Sequence, residues 1–519
     1  VKPTFNLWTE PWISVEQRGG ARTHLSIEQT LLGAHNLLAL YESSPLVIVG
    51  IHRLLTAILQ DAFNPQNEDD LADLWAAGAG HFPEQAIRSF GTQYAHRFDL
   101  FSEDVPFLQS ADLPLQPKKG DKRWEIAILF FELPTSTFVS HYQHGLSSDH
   151  VFCPICAARG LLTIPPFATS GGAGIKPSIN GVPPIYVLPG GETLFERLWA
   201  SLMLPEFQPS TASATEDAAW WRHAPVVGYK DEVHEVSYLH SLTFPARRVR
   251  LHPERIDTPC TRCGAASDWG VRTMVYQMGE SRPKDAPFWQ DPFAAYRVRG
   301  DAPTPIRPQK GKALWREFAT LFLPMTREEG QKEHTLPPSV LYQRGALADE
   351  GIGPDYGLFP VRCVGLRTDM KAKIFEWLDA GFDVPASLLH NINGSDEVRR
   401  GIDLASECAR SIARTFRQSF GRAGAEHHVN VKNRMVDAYW STLADPFRTF
   451  VNGAAVRETR EVARVAWVER AVAEGKTAFR AAAESVGDGA IALRRRVEGL
   501  DLCHKFLNMI RKKALGEPE

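Results

Sequence analysis

Four cysteines fall into two Cys-x-x-Cys pairs, Cys153/Cys156 and Cys260/Cys263. Two intervening residues let both sulfurs of a pair face one cation, and a tetrahedral zinc ion takes four such thiolates. The second pair lies in Pro259-Cys-Thr-Arg-Cys-Gly264, where the glycine permits a tight turn that aims backbone N–H groups at sulfur. Compact zinc ribbons place their pairs about 15 to 20 residues apart, so the much longer spacing here means a shared ion would pin two distant segments together. Four thiolates leave no position for a catalytic water, which makes the expected zinc structural. Ordinary buried thiols or a redox pair are the other reading of the same residues; zinc fits the pattern better.

Just past the first pair runs Ser170-Gly171-Gly172-Ala173-Gly174-Ile175-Lys176. A phosphate-binding P-loop needs Gly-Lys-Ser/Thr in direct succession, and here Ile175 intervenes and Pro177 follows, which excludes nucleotide hydrolysis by that route. The glycines still offer bare backbone that can approach a groove or a phosphate closely, with Lys176 beside it as a charge. A plain surface loop is the alternative. His427-His428, followed by Asn430, suggests a second chemistry, that of a zinc-containing histidine-asparagine nuclease. The pair lies far downstream of the cysteines with no second histidine at the needed distance, and helix-terminal histidines explain it better. No His-Glu-x-x-His, Gly-x-Ser-x-Gly or EF-hand pattern occurs, so no other hydrolase or calcium chemistry is indicated.

These residues need a scaffold. At 519 residues, 44% hydrophobic and 23% charged, the chain has the composition of a globular protein of two or three domains. The cysteine count of seven is odd, and Cys363, Cys408 and Cys503 stand alone, which argues against a disulfide framework and for a reducing cytoplasm. No uninterrupted apolar run reaches the roughly 18 residues of a membrane span, and no basic-then-apolar leader opens the sequence; neither secretion nor a membrane is expected. With 58 Lys plus Arg against 61 Asp plus Glu, the net charge of −3 gives no global pull on phosphate, so any DNA binding must use local patches. Local basic patches are Lys118, Lys119, Lys122 and Arg123; Arg247, Arg248 and Arg250; and Arg297, Arg299, Arg307, Lys310, Lys312 and Arg316.

Up to about residue 370 short apolar segments such as Trp124–Phe131 and Pro184–Leu188 alternate with Pro- and Gly-rich connections, the pattern of a mixed, loop-rich α+β domain. Helices are expected over Leu46–Phe63 and Thr193–Leu204. From Met370 the pattern turns helical, in stretches near 370–390, 395–420, 427–450 and 456–515, the last long enough for two helices. The expected fold is therefore an α+β domain over 1–370 with the zinc site, followed by an all-α four-helix bundle over 371–519. Ser395-Asp-Glu-Val reads as a helix start and Gly421 as a stop, while Cys408 sits on an apolar face with Ala405, Ile412 and Phe416, as core rather than ligand.

Several segments together resemble one family, the large CasA subunit of the type I-E CRISPR Cascade surveillance complex. They are Phe5-Asn-Leu-Trp-Thr-Glu-Pro-Trp-Ile13, Arg97-Phe-Asp-Leu-Phe101 with Pro106-Phe-Leu-Gln109, Phe138-Val139 ahead of the first cysteine pair, and Phe244-Pro-Ala-Arg-Arg-Val-Arg-Leu251 ahead of the second. Their order along nearly the whole chain carries the resemblance more than any one of them.

The resemblance implies a non-catalytic subunit that inspects duplex DNA for a short protospacer-adjacent motif, helps start unwinding and leaves sequence reading to the guide RNA. Its implied partners are the other Cascade subunits, the guide RNA, double-stranded target DNA and a recruited helicase-nuclease. The family's glycine loop carries over to Gly171, Gly172, Ala173 and Gly174, with Lys176 adjacent; reading from the minor groove implies tolerance of several motifs, because that groove's code is degenerate. The family's wedge between base pairs falls in Gly365-Leu-Arg-Thr-Asp369, where Arg367, Thr368 and Asp369 stand instead of amide side chains. The segment around Phe138 corresponds to the loop that meets the rest of the complex near the guide's 5′ end.

Overall fold

The apolar run expected to be helical is the helix Pro45–Phe63 of the computed structural model. The structure describes residues 2–518 apart from 77–79, 116–122, 134–148, 171–173, 210–218, 223–232, 301, 324–332, 356, 369–373, 390–391, 422–424 and 488. Pro45 at the first helical position loses no needed N–H, and Asn64 in the left-handed conformation ends the helix. Buried residues occur on all its sides from Pro45 to Gln60, as in a helix at the centre of a core. Among the described residues it is the one helix long and apolar enough to cross a membrane, yet 83% of that window is buried inside the protein. Its Arg53 is buried against Asp291 at 3.1 Å and also donates to the Ser241 carbonyl at 2.9 Å, while Asn180 donates to the same carboxylate at 2.9 Å.

The chain divides into two compact units, Val1–Pro308 with Pro337–Asp383, and Gln309–Leu336 with Val384–Glu519. The first contains the core helix and small three-stranded sheets. Ile13–Gln17 lies between Arg22–Leu25 and Leu37–Leu40, and Trp269–Met278 lies between Trp124–Glu125 and Arg247–Arg255. Leu358–Thr368 lies between Ile374–Pro385 and Tyr186–Pro189.

Four of the segments that carry the family resemblance interlock, Phe138-Val139 lying outside the described residues. Leu7 N–H donates to the Phe98 carbonyl and Leu100 N–H to the Phe5 carbonyl, both at 2.9 Å, and the Asp99 carboxylate accepts from the Phe5 and Phe101 amides. Gln109 donates to the Leu100 carbonyl at 2.7 Å and accepts the Leu251 N–H at 2.8 Å, tying three of the segments together. Trp8, Phe98 and Phe107 join Trp220 and Trp221 in one buried aromatic cluster. These segments therefore build core, which is why their order and spacing identify the fold.

The second unit contains the helices Ile392–Phe420, Ala425–Thr442, Ala444–Ala455, Arg460–Glu484 and Ala490–Leu515. Ala405, Cys408, Ile412 and Phe416 are buried, as their spacing predicts. Gly401 lets the helices close up: an added Cβ would clash with the Phe450 ring, and the Gly401 carbonyl accepts the Trp467 indole N–H at 2.8 Å. The segment Gln309–Leu336 belongs to this unit, with Trp315 4.7 Å from Phe447 ring to ring and Arg316 stacked 3.8 Å over Trp440.

A mixed α/β arrangement with a helical C-terminal region thus agrees with the expected fold class, and three details differ. Within the stretch 370–390 the described residues do not form the expected helix: Ile374–Pro385 is a strand paired with Leu358–Thr368, and the ion pairs Arg362–Asp379 and Arg367–Glu376 cross between them. The boundary expected at 370/371 falls between these two strands, whereas the compact units part at Asp383/Val384. Ser395 is not a cap; the helix has already begun at Ile392, and the buried Ser395 hydroxyl donates to the Leu388 carbonyl at 2.7 Å.

Candidate metal centre and glycine loop

Cys153 is the N-cap of the helix Pro154–Leu161, which places Cys156 in the first turn, where the helix dipole favours a thiolate. The second pair sits in the turn between the strands Arg247–Arg255 and Trp269–Met278. There Gly264 takes φ 73° and donates to the Cys260 carbonyl at 2.8 Å, while Cys260 N–H donates to the Ala265 carbonyl at 2.9 Å. The turn is sewn to the first pair through Thr261, whose N–H donates to the Val151 carbonyl at 2.8 Å, and through the bridge between Phe152 and Val271.

All four sulfurs lie within 4.8 Å of one another, and Cys153 Sγ is 3.7 Å from Cys263 Sγ. A tetrahedral ion with sulfur at about 2.3 Å requires sulfur–sulfur edges of about 3.8 Å, so the cluster has the size a metal needs. Cys153, Cys156 and Cys260 are buried and Cys263 is exposed. Without a cation the sulfurs compete for negative charge: hydrogen bonds from the Cys153 and Cys156 thiols pull Cys260 well below the ordinary thiol range, while the sharing with Cys153 and Cys260, and burial, push Cys156 far above it. A divalent ion is what lets four crowded thiols ionise together. The donor set therefore fits a metal ion held by Cys153, Cys156, Cys260 and Cys263.

A charged second layer surrounds the sulfurs. Arg262, between the two cysteines of the second pair, donates to Cys156 Sγ at 3.8 Å and pairs with Glu42 at 2.9 Å, over the ring of Phe130. Glu42 also pairs with Arg159 at 2.9 Å, and these two guanidinium groups, opposed by burial, hold its carboxyl below the usual range. Arginine between the cysteines is a signal visible in the sequence; Glu42, more than a hundred residues away, gives none.

Of the glycine run, Gly171, Gly172 and Ala173 lie outside the described residues, as do Phe138 and Asp369. Gly174 takes φ 87°, a conformation that favours glycine. Both sides of the run are held: the Thr169 carbonyl accepts from Arg247 at 2.6 Å, and the Lys176 N–H donates to Met278 Sδ at 3.2 Å. Arg367 and Thr368 end the strand Leu358–Thr368, with Arg367 paired to Glu376 at 2.6 Å.

The second basic patch is not a phosphate surface. Arg247 and Arg250 are buried, the former on backbone carbonyls, and Arg248 pairs with Asp112. Composition does not reveal this, because the partners are distant in sequence: Arg247 meets the Thr169 carbonyl, Arg250 the Glu103 carbonyl and Arg248 the Asp112 carboxylate. In the third patch Lys312 pairs with Glu317, and Arg316 stacks on Trp440. His427 and His428 are neighbours on the helix Ala425–Thr442 with Asn430 exposed; the one metal-type cluster among the described residues is the four cysteines.

Comparison with known proteins points one way. The model of the family CRISPR-associated protein Cse1 (CRISPR_cse1) matches residues 6–478. A curated relative, the CRISPR-associated protein CasA/Cse1 of Thermus thermophilus, is 28% identical over 522 residues, covering 95% of each chain. The crystal structure of Cse1 from Acidimicrobium ferrooxidans superposes with a TM-score of 0.78 over 99% of both chains at 19% identity. A chain in a structure described as a CRISPR RNA-guided surveillance complex has a TM-score of 0.70, over 98% of this chain and 100% of that one, at 18% identity. With a family model spanning nearly its whole length, this chain belongs to the CRISPR-associated Cse1 family.

Proposed function

We propose that the chain is the large, non-catalytic subunit of a CRISPR RNA-guided surveillance complex of the type I-E Cascade kind. In this reading it recognises the protospacer-adjacent motif in double-stranded DNA, promotes unwinding of the target and helps recruit the helicase-nuclease. Its partners are the other Cascade subunits, the guide RNA and target DNA, and its compartment is the cytoplasm. The observation that carries the reading is the match of residues 6–478 to the Cse1 family, together with the likeness to a chain of a surveillance complex.

Within that reading the glycine loop meets DNA with its backbone, through Gly171, Gly172, Ala173 and Gly174, and Lys176 supplies charge; Arg367, Thr368 and Asp369 approach the base pairs where strands part, and Phe138 meets the rest of the complex. Zinc is the ion that four thiolates suit best, as scaffold rather than catalyst. The C-terminal helices act as a four-helix bundle, with Ala425–Thr442 and Ala444–Ala455, parted at Leu443, taken together as one member.

The test is assembly with guide RNA and companion subunits, followed by binding to duplexes with and without the motif. Gly172→Asp is expected to weaken motif-bearing duplex by about tenfold or more, since a carboxylate would face phosphate and base edges. Unchanged binding would count against the loop as reader. DNA cleavage by the isolated chain, abolished by His428→Ala, would instead support a nuclease.

A further inference from the structure

The strands that end in the second cysteine pair also reach the glycine loop. Arg247 and Met278 face each other in the strand register, at the end of the strand pair away from the Cys260/Cys263 turn. Arg247 is 4% exposed. Its Nη2 donates to the Thr169 carbonyl at 2.6 Å, one residue before Ser170, its Nη1 to the Ala246 carbonyl at 2.6 Å, and its Nε to the Tyr276 hydroxyl at 3.1 Å. Met278 Sδ accepts the Lys176 N–H, on the far side of the glycines. One cross-strand pair therefore grips both flanks of the run. Beneath it, Ser178 N–H donates to the Ala168 carbonyl at 2.8 Å and closes the neck of the loop.

A guanidinium is costly to bury, and an apolar side chain in its place would usually serve stability as well or better. What the arginine adds is direction: a planar fork with all its nitrogens committed fixes where the Thr169 carbonyl points. A glycine-rich segment has little side-chain packing to set its conformation and much backbone entropy to lose, so its ends must define it.

We propose that Arg247 and Met278 are positioning residues of the glycine run, holding the Thr169 carbonyl and the Lys176 N–H at its two described flanks, and that duplex binding by the run depends on that hold. The proposal rests on the reading that this loop meets DNA, and it names the parts that hold it. Preorganisation lowers the ordering cost of binding without adding a contact to the ligand.

The experiment uses the complex assembled with guide RNA and three variants: Arg247→Lys, which keeps the charge and loses the fork; Met278→Leu, which keeps the volume and loses the acceptor; and Gly172→Asp. Hydrogen exchange over residues 169–177 is expected to rise about tenfold or more in Arg247→Lys, and less in Met278→Leu, while the amides of Val249–Arg255 stay as protected as before. Unchanged exchange in the loop overturns the clamp, whatever the DNA result. Affinity for a motif-bearing duplex is expected to fall about tenfold in Arg247→Lys, with binding of a single-stranded target complementary to the guide unaltered. If Gly172→Asp weakens duplex binding and Arg247→Lys loosens the loop without weakening it, the positioning role is overturned while the loop remains the reader. If Gly172→Asp has no effect on duplex binding, the reading itself fails and takes the DNA role of Arg247 with it.

Discussion

Cys153 and Cys263 stand 110 residues apart in the sequence, and their sulfurs are 3.7 Å apart in space. The first sits at a helix N-terminus and the second in a strand-to-strand turn, so a shared ion closes a covalent-like link across a long loop of chain. The stabilisation from such a link grows only slowly with loop length, but a loop this long lies at the favourable end.

Metal content is the direct check. The protein purified without chelator is expected to carry one divalent ion per chain by elemental analysis, and Cys156→Ser to lose it. Because metal binding is coupled to folding, the variant's thermal midpoint is expected to drop by about 5 °C or more. A full complement of metal in Cys156→Ser would remove that thiol from the ligand set.

The buried pair Arg53–Asp291 gives a second prediction. Arg53→Met would leave the Asp291 carboxylate in the core with Asn180 as its remaining side-chain donor. Stranding a buried charge costs about 3 to 5 kcal/mol, to be read from urea unfolding. Arg53→Met with Asp291→Asn together is expected to cost less than Arg53→Met by itself.

A third concerns pH. His52 is buried with its ring 2.8 Å from the Ser201 hydroxyl, and burial, aided by Arg197 and Arg53, pushes its pKa down to about 3. The unfolded imidazole titrates near its ordinary value of about 6.5, so between that pH and 3 the unfolded chain binds a proton that the folded chain refuses. Stability therefore falls as pH falls through this window, by about 2 kcal/mol from pH 7 to pH 5. His52→Gln is expected to flatten that part of the profile; an unaltered difference between the two pH values would show that His52 does not set it.

Helix packing in the second unit supplies a fourth. Gly401→Ala would drive a methyl group into Phe450 and toward the Trp467 indole, 3.0 Å away. Overpacking of this kind costs about 1 to 3 kcal/mol, and Phe450→Leu in the same chain is expected to recover part of it. Chemical unfolding of the single and double variants decides the matter.

How legible all this was depends on distance along the chain. Pro45–Phe63 was readable because its apolar residues continue for five turns, and Cys408 because Ala405, Ile412 and Phe416 share its face. Ile374–Pro385 was not: Ile374, Phe375, Leu378 and Phe382 suit a helix face as well as a strand, and what decides between them is pairing with Leu358–Thr368 and its arginines. The cysteines were legible as a set because their spacing is local within each pair. Glu42, Arg159 and the grip of Arg247 on Thr169 were not, because nothing near them in sequence names their partners.

The aromatic slot that receives Trp315 has an implication for how such proteins can diversify. Trp315 and Phe318 arrive on the Gln309–Leu336 stretch, and Trp440, Phe447 and Trp467 on the C-terminal helices. Recombination between two relatives at any point from 337 to 439 would marry a plug from one parent to a socket from the other. The helical part is therefore not a movable cassette, and a viable chimera has to carry both stretches from one source or refit their aromatic seam.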